Sequence, residues 1–151
     1  MQVFLLRHAT RNFTMGDVPL NDEGILQAKE LAENSQFSRI EKLICSPKNR
    51  ARMTIEPLAE KYQLDVRIME ELDQMKGHET ESQFISRVTK FCERIQAGEF
   101  GSPLLICTHS DWLGAAAQVI PTDSLDIKYK MFQCAESVEF KIEDGLWVIQ
   151  E

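Results

Sequence analysis

Two continuous apolar runs, each followed by a histidine, constrain the fold of this 151-residue chain more than any other feature. The run 3–6 is followed by Arg7 and His8, and the run 104–108 is followed by His109. Strands buried in a parallel sheet are apolar on both faces, and such sheets gather ligands at the carboxyl ends of their strands. The sequence therefore predicts two strands that bring a cation and two imidazoles to one sheet edge.

Strand-like runs alternate with helical patterns along the whole chain. Strands are predicted at 2–6, 40–45, 66–68 and 104–108, with a closing hairpin formed by 137–142 and 146–149. Helices are predicted from Asn21 or Asp22 to about residue 35, from Ser46-Pro47 to 62, over 79–95 and over 111–120. Within the second helix, Pro57 predicts a kink or a shortened first segment.

This alternation predicts an α/β fold in a single domain over residues 1–151. We expect a three-layer sandwich, in which helices flank a mostly parallel mixed sheet with an antiparallel addition at its end.

Composition limits the partners and the compartment. A net charge of −7 argues against nucleic acid and acidic membranes as partners, yet Arg7, Arg11, Lys48, Arg50 and Arg52 cluster in the segments discussed below. This combination favours a discrete anionic ligand. The four cysteines match no zinc pattern, and no apolar stretch is long enough for a signal peptide or a membrane span. A cytoplasmic protein without metal or cofactor is therefore expected.

Four short motifs carry a family resemblance. They are residues 6–10 (Leu-Arg-His-Ala-Thr), 20–24 with 27–28, Ser46-Pro47 with Arg50-Ala51 and Thr54, and Thr108-His109. In these motifs and their order the chain resembles the histidine phosphatase superfamily, which has the phosphoglycerate mutase-like fold. In its small size the chain resembles the short branch of this superfamily, which includes phosphohistidine phosphatases.

The resemblance implies roles for individual residues. His8 would be the nucleophile that forms phosphohistidine, Arg7, Arg50 and His109 would hold the phosphate, and Arg11 would line the rim of the pocket. General chemistry agrees with these roles. A neutral imidazole is a good phosphoryl acceptor near pH 7, and one guanidinium group can donate two parallel hydrogen bonds to phosphoryl oxygens. Such a reaction depends on positioning and electrostatics and does not strictly require a metal.

One position departs from the family pattern. The family places a glutamate, the general acid for the leaving oxygen, where this chain has Gln74, and an amide cannot donate a proton as an acid. Glu79, predicted to open the next helix, is the preferred substitute, ahead of Asp73, and the alternative that neither serves stays open. Glu79 also has a structural interpretation as an acid at a helix N-terminus.

The predicted function is therefore a metal-independent phosphatase that works through phospho-His8. A phosphoprotein carrying phosphohistidine, or another activated phosphoryl donor, is the favoured substrate, because its leaving group needs little help. The alternatives are a small-molecule phosphomonoesterase and a catalytically weak phosphate- or phosphoprotein-binding module. A monomer is compatible with the sequence, which does not determine the oligomeric state.

Overall fold

The computed structural model describes residues 1–151, and all six of its strands belong to one mixed sheet. The strands are β1 (Gln2–Arg7), β2 (Lys42–Cys45), β3 (Val66–Ile68), β4 (Leu104–Thr108), β5 (Ser137–Glu143) and β6 (Leu146–Ile149). Their order across the sheet is β3-β2-β4-β1-β5-β6. The first four strands run parallel, whereas β5 is antiparallel to both β1 and β6.

Five α-helices connect and cover the strands. They are α1 (Asp22–Glu33), α2 (Asn49–Tyr62), α3 (Glu81–Gln96), α4 (Ser110–Val119) and α5 (Leu125–Lys128). Short 3-10 turns at Ser35–Phe37 and Glu70–Leu72 precede β2 and follow β3. None of the helices is both long and apolar enough to cross a bilayer.

Two apolar layers lie on opposite faces of the sheet, as the alternation of side chains along a strand requires. On one face, Phe4, Leu6 and Leu105 pack with residues of α1 and α2. On the other face, Val3 and Ile106 pack with residues of α3, α4 and α5. The predicted fold class, a mixed sheet between two helical layers, is confirmed.

Several predicted boundaries need correction. The second strand begins at Lys42 rather than at residue 40, and α2 begins at Asn49, after Ser46-Pro47. The helix α2 continues without interruption through Pro57, so the shortened first segment is wrong. The third helix begins at Glu81, because the Thr80 side chain accepts a hydrogen bond from the Gln83 N–H in a capping box. Glu79 therefore lies before α3 and does not open it.

The predicted closing hairpin is confirmed, and its turn has a simple cause. Asp144 and Gly145 both have positive φ angles, 50° and 79°, as a two-residue turn with both residues in the left-handed region requires. Helix α5 and the 3-10 turns were not predicted, because four or fewer residues are too short to show a helical period.

Strand order determines what meets at the carboxyl edge of the sheet. The strands β2, β4 and β1 are adjacent, and Arg7 pairs with Thr108 in the register of β1 and β4. The residues that follow these strands, among them Ser46, His109 and His8, therefore emerge side by side.

Candidate active site

His8 is the candidate nucleophile, and its environment determines which nitrogen is free. The side chain is buried, and Nδ1 lies 2.7 Å from the Ala9 carbonyl oxygen. Because a carbonyl only accepts, Nδ1 carries the proton and Nε2 keeps its lone pair. Burial, with smaller effects from the arginines around it, lowers the pKa of His8 to about 4. The imidazole is therefore neutral at pH 7, as a phosphoryl acceptor must be.

Two helices hold the segment that follows His8. The Ala9 N–H donates to the Thr54 hydroxyl of α2 at 2.9 Å, and the Thr10 N–H donates to Gln27 Oε1 of α1 at 2.9 Å. Helix α1 approaches this segment so closely that a Cβ on Gly24 would lie 2.0 Å from the Thr10 carbonyl oxygen. These contacts explain why the motif residues Gly24, Gln27 and Thr54 accompany the histidine.

His109 is oriented by a buried serine. Its Nε2 lies 2.7 Å from Ser46 Oγ, which also accepts the Lys48 N–H at 3.2 Å. The buried Ser46 hydroxyl proton is satisfied by donating to Nε2, which leaves the His109 proton on Nδ1. Burial, assisted by nearby positive groups, lowers the pKa of His109 to about 2, so this ring is also neutral at pH 7.

The imidazole rings of His8 and His109 lie edge to face, with their centroids 5.3 Å apart and an interplanar angle of 64°. His109 occupies the N-cap position of α4 but makes no capping hydrogen bond with its side chain. The imidazole of His109 therefore does not serve as a helix cap.

Two guanidinium groups complete a set of unpaired donors. Arg50 is buried and Arg7 is partly buried. One nitrogen of each is bonded: Arg7 Nη1 donates to the Phe132 carbonyl at 2.6 Å, and Arg50 Nη2 donates to Gln74 Oε1. Four other buried nitrogens have no partner in the protein: Arg7 Nε, Arg50 Nε, Arg50 Nη1 and His109 Nδ1. We call Arg7, His8, Arg50 and His109 the cradle.

Unpaired buried donors are costly, so their concentration at one place indicates a ligand that accepts hydrogen bonds. All four unpaired nitrogens belong to donor groups, and two of these groups carry full positive charge. A tetrahedral oxyanion such as a phosphoryl group matches this set in charge and in number of acceptor oxygens.

Asp73 and Gln74 border the cradle from the segment after β3. Asp73 is buried, with one carboxylate oxygen 3.5 Å from Lys48 Nζ and the other 3.8 Å from His109 Nε2. Gln74 accepts the hydrogen bond from Arg50 described above. Asp73, and not Glu79, is therefore the carboxylate beside His109, which reverses the order of preference drawn from the sequence.

Glu79 has another partner. Its two carboxylate oxygens accept hydrogen bonds from Arg87 Nε and Nη2 at 2.9 and 2.7 Å. The same guanidinium donates to the carbonyl oxygens of Glu71, Asp73 and Gln74. The Arg87 interaction lowers the pKa of Glu79 to about 2, so Glu79 holds no proton to donate at pH 7. The prediction that Glu79 substitutes for the acid is therefore corrected. Through Arg87, Glu79 instead holds the segment 71–79 in place.

Arg11, predicted at the rim, is partly buried in the loop after His8 and pairs in a short bridge with Leu20. Its charge is one of the causes that lower the pKa values of His8, Arg50 and His109, which places it within electrostatic range of the cradle. Arg52 is exposed and donates to Asn49 Oδ1, away from the unpaired donors.

Sequence reasoning missed Ser46 and Lys48 as neighbours of the cradle and ranked Asp73 too low. For Ser46 the available signal was its place directly after a strand that ends beside β4. For Asp73 there was no such signal, because the 3-10 turn Glu70–Leu72 changes the direction of the side chains before residue 73.

Comparisons with known proteins agree with the fold described above. Residues 3–77 match the family model of the histidine phosphatase superfamily, branch 1. This match confirms the family predicted from the motifs. No curated protein sequence matches the chain at a significant level.

Solved structures of phosphatases share the fold. A putative α-ribazole-5′-phosphate phosphatase from Escherichia coli K-12 superposes with a TM-score of 0.84 at 19% identity, covering 99% of this chain and 94% of that one. The protein histidine phosphatase SixA, solved with tungstate, gives 0.77 at 18% identity, with 100% and 95% covered. A phosphoserine phosphatase from Entamoeba histolytica gives 0.77 at 12% identity, with 99% and 95% covered.

Proposed function

Because the chain belongs to the histidine phosphatase superfamily, we propose that residues 1–151 form one phosphatase domain in which His8 accepts the phosphoryl group. The observation that carries this proposal is the set of four unpaired buried nitrogens contributed by Arg7, Arg50 and His109. The His109 ring lies 5.3 Å from that of His8, and Arg50 and Arg7 are close enough to help lower the His8 pKa. The His8 Nε2 keeps its lone pair, because Nδ1 donates its proton to the Ala9 carbonyl. A nucleophile and an oxyanion cradle thus meet at one sheet edge.

The proposed reaction has two steps. The Nε2 lone pair of His8 attacks phosphorus, the bond from phosphorus to the leaving atom breaks, and the leaving group departs with the electron pair. Arg7, Arg50 and the Nδ1–H of His109 hold the non-bridging oxygens throughout. Water then attacks the phosphohistidine, inorganic phosphate is released, and the electron pair returns to Nε2. Guanidinium groups supply the positive charge beside the phosphoryl oxygens, so the proposed reaction requires no metal ion.

The favoured substrate is a phosphohistidine-bearing protein or another activated phosphoryl donor. Gln74 stands at the usual acid position, Glu79 is held by Arg87, and Asp73 accepts the Gln74 N–H while facing Lys48. With these partners, none of the three is placed as a free proton donor for an alkoxide. Losing a positioned acid costs about 10² to 10⁴ in rate, so leaving groups that need little protonation are favoured. A small phosphomonoester is the alternative substrate.

A second candidate function is a phosphate- or phosphoprotein-binding module with weak turnover. Gln74 favours this function, because its amide contacts Arg50, one of the phosphate-binding groups, but cannot donate a proton to a leaving group. The free Nε2 of His8 argues for turnover.

Turnover of p-nitrophenyl phosphate tests the proposal, because a nitrophenolate leaves without an acid. We expect hydrolysis by the wild type, loss of it in His8→Ala, and retention of it in His78→Ala, a matched change at an exposed histidine. Rapid acid-free quenching should trap phosphate on His8. No turnover together with saturable vanadate binding would support the binding module, and a rate equal in wild type and His8→Ala would refute the nucleophile.

Two further measurements test the finer statements. The ratio of aryl to alkyl phosphate rates should be large, since only the alkyl substrate needs an acid; equal rates would show that another group donates the proton. Metal independence predicts an unchanged rate after treatment with EDTA. We also propose a cytoplasmic location, which the four free cysteines support.

A further inference from the structure

Three segments beside the cradle carry exposed apolar side chains. Phe13 and Met15, in the loop after His8, are 88% and 98% exposed. Met131, next to the Phe132 carbonyl that binds Arg7, is 84% exposed. Met75 directly follows Gln74 and is also exposed. We call Phe13, Met15, Met75 and Met131 the apolar rim.

The backbone behind Phe13 and Met15 is anchored. The Asn12 N–H donates to the Pro19 carbonyl at 3.0 Å and closes the base of the loop. On the far side, Asp17 Oδ1 accepts the Asn49 N–H at 2.7 Å, at the start of α2. The two apolar side chains are thus presented to solvent by a loop whose ends are held.

The other two rim residues are held in the same way. The Met75 N–H donates to Asp111 Oδ2 at 2.9 Å. Met131 precedes Phe132, whose side chain is buried, and follows Lys130, which pairs with Glu136 at 2.7 Å. In all three segments the main chain is fixed and the apolar side chain is free.

The position of these residues matters more than their number. Exposed apolar side chains occur singly on most proteins, but a set around a ligand site marks a contact surface. Three of the four rim residues are methionines, which adapt to irregular partner surfaces. Aromatic residues and methionine are also the types enriched in protein interfaces.

We propose that the apolar rim docks a folded protein that presents phosphohistidine on its surface, so that the phosphoryl group enters the cradle as the rim is covered. This inference rests on the proposed function only in taking the cradle as the phosphoryl site. Met131 and Met75 are the chain neighbours of Phe132 and Gln74, which contact Arg7 and Arg50, so a partner that covers the rim also approaches the phosphoryl site. A net charge of −7 disfavours an anionic membrane as the alternative surface.

Kinetics on matched substrates test the rim. The substrates are two histidine-phosphorylated proteins, a helical phosphotransfer domain and an α/β phosphocarrier protein, with free phosphohistidine and p-nitrophenyl phosphate as small counterparts. The double variant Met15→Ser/Met131→Ser should lose about tenfold or more in kcat/KM on the phosphoproteins, mainly through KM. Its rates on both small substrates should change less than about twofold, the scatter of a neutral surface change. Leu26→Ser and Leu125→Ser are the matched controls.

Three kinetic results would overturn the inference. These are a wild type without preference for either phosphoprotein over free phosphohistidine, an equal loss on all substrates, and a loss as large in the controls.

Binding in the His8→Ala background separates this inference from the proposed function, because it needs no turnover. Calorimetry should show that the two rim substitutions weaken binding of the phosphoprotein and leave binding of vanadate unchanged. Unchanged phosphoprotein binding would refute the rim even if the chain proves to be a phosphatase. Rim-dependent sedimentation with phosphatidylserine vesicles, or rim-dependent dimerisation, would assign the surface to a membrane or to a second copy and would equally overturn it.

Discussion

Replacing Ser46 by alanine removes the hydroxyl that determines which nitrogen of His109 carries the proton. Ser46 Oγ and His109 Nε2 are 2.7 Å apart, and both residues are buried. In the variant, Nε2 has no partner within hydrogen-bond distance, because Asp73 Oδ1 lies 3.8 Å away. An unpaired buried polar group costs about 1–3 kcal/mol, and the free energy of unfolding should fall by that amount.

Anion binding should fall as well, for a separate reason. Without Ser46, no hydroxyl proton holds the tautomer, and the His109 proton is free to move to Nε2, the nitrogen that faces the negative Asp73 carboxylate 3.8 Å away. Nδ1 then presents a lone pair to the phosphoryl oxygen instead of an N–H. A hydrogen bond to a charged group contributes about 1.5–3 kcal/mol, so vanadate affinity should fall about 10- to 100-fold. Because burial lowers the pKa of His109 to about 2, protonation does not restore the Nδ1–H near neutral pH, and the deficit should stay constant between about pH 6 and 8.

Calorimetric titration with orthovanadate measures the affinity, and the ratio of variant to wild type at each pH cancels the ionisation of the ligand. Imidazole ¹⁵N NMR reports the tautomer, which a merely structural role for Ser46 would not change. Ser102→Ala is the control, since its hydroxyl accepts the Gln2 N–H at 2.8 Å near the opposite end of β4. A proton that stays on Nδ1 with unchanged affinity, or an equal loss in the control, would refute the reasoning.

Three further predictions concern the buried histidines, Gln74 and Glu79. Burial lowers the pKa values of His8 and His109 to about 4 and about 2, so below pH 6.5 the unfolded chain binds more protons. Stability should therefore fall as the pH drops from about 6.5 toward 5, by up to about 1.4 kcal/mol per pH unit for each imidazole. Urea unfolding should show a smaller slope in His8→Asn, and an identical slope would exclude His8 as a cause. Gln74→Glu should raise alkyl relative to aryl phosphate hydrolysis, and an unchanged ratio would show that residue 74 does not reach the leaving group. Glu79→Gln should lower the unfolding free energy by about 1–3 kcal/mol through its bonds to Arg87, with the alkyl-to-aryl ratio unchanged; a changed ratio would return Glu79 to the chemistry.

Local patterns were enough to predict the sheet and the two histidines at its edge. The apolar runs of β1 and β4 are continuous, and each is followed directly by its histidine, so the position of His8 and His109 at one edge follows from parallel pairing alone. Arg50 was placed by the family motif, since nothing in a helical period distinguishes an inward guanidinium from a solvated one. The motif thus supplied what periodicity lacks.

Contacts between distant segments could not be predicted in this way. The pairing of Glu79 with Arg87 depends on where the chain turns after β3, and a 3-10 turn of three residues leaves no periodic trace. The helix start was misplaced for a related reason: Thr80 and Gln83 form a capping box, which moves the first turn past Glu79. Both errors fell on the same residue, and together they made Glu79 a candidate acid.

The amide at residue 74, where the family resemblance implies a glutamate, has two effects with opposite consequences for different substrates. A glutamate there would place a negative charge against Arg50 Nη2, the atom that Gln74 Oε1 contacts. The neutral amide leaves the full charge of Arg50 for the phosphoryl oxygens and so strengthens anion binding, while it removes the proton that an alkoxide needs in order to leave. A phosphoramidate benefits from the first effect and loses little by the second. The amide at position 74 therefore supports the proposed phosphohistidine substrate from the electrostatics of one contact, independently of the apolar rim.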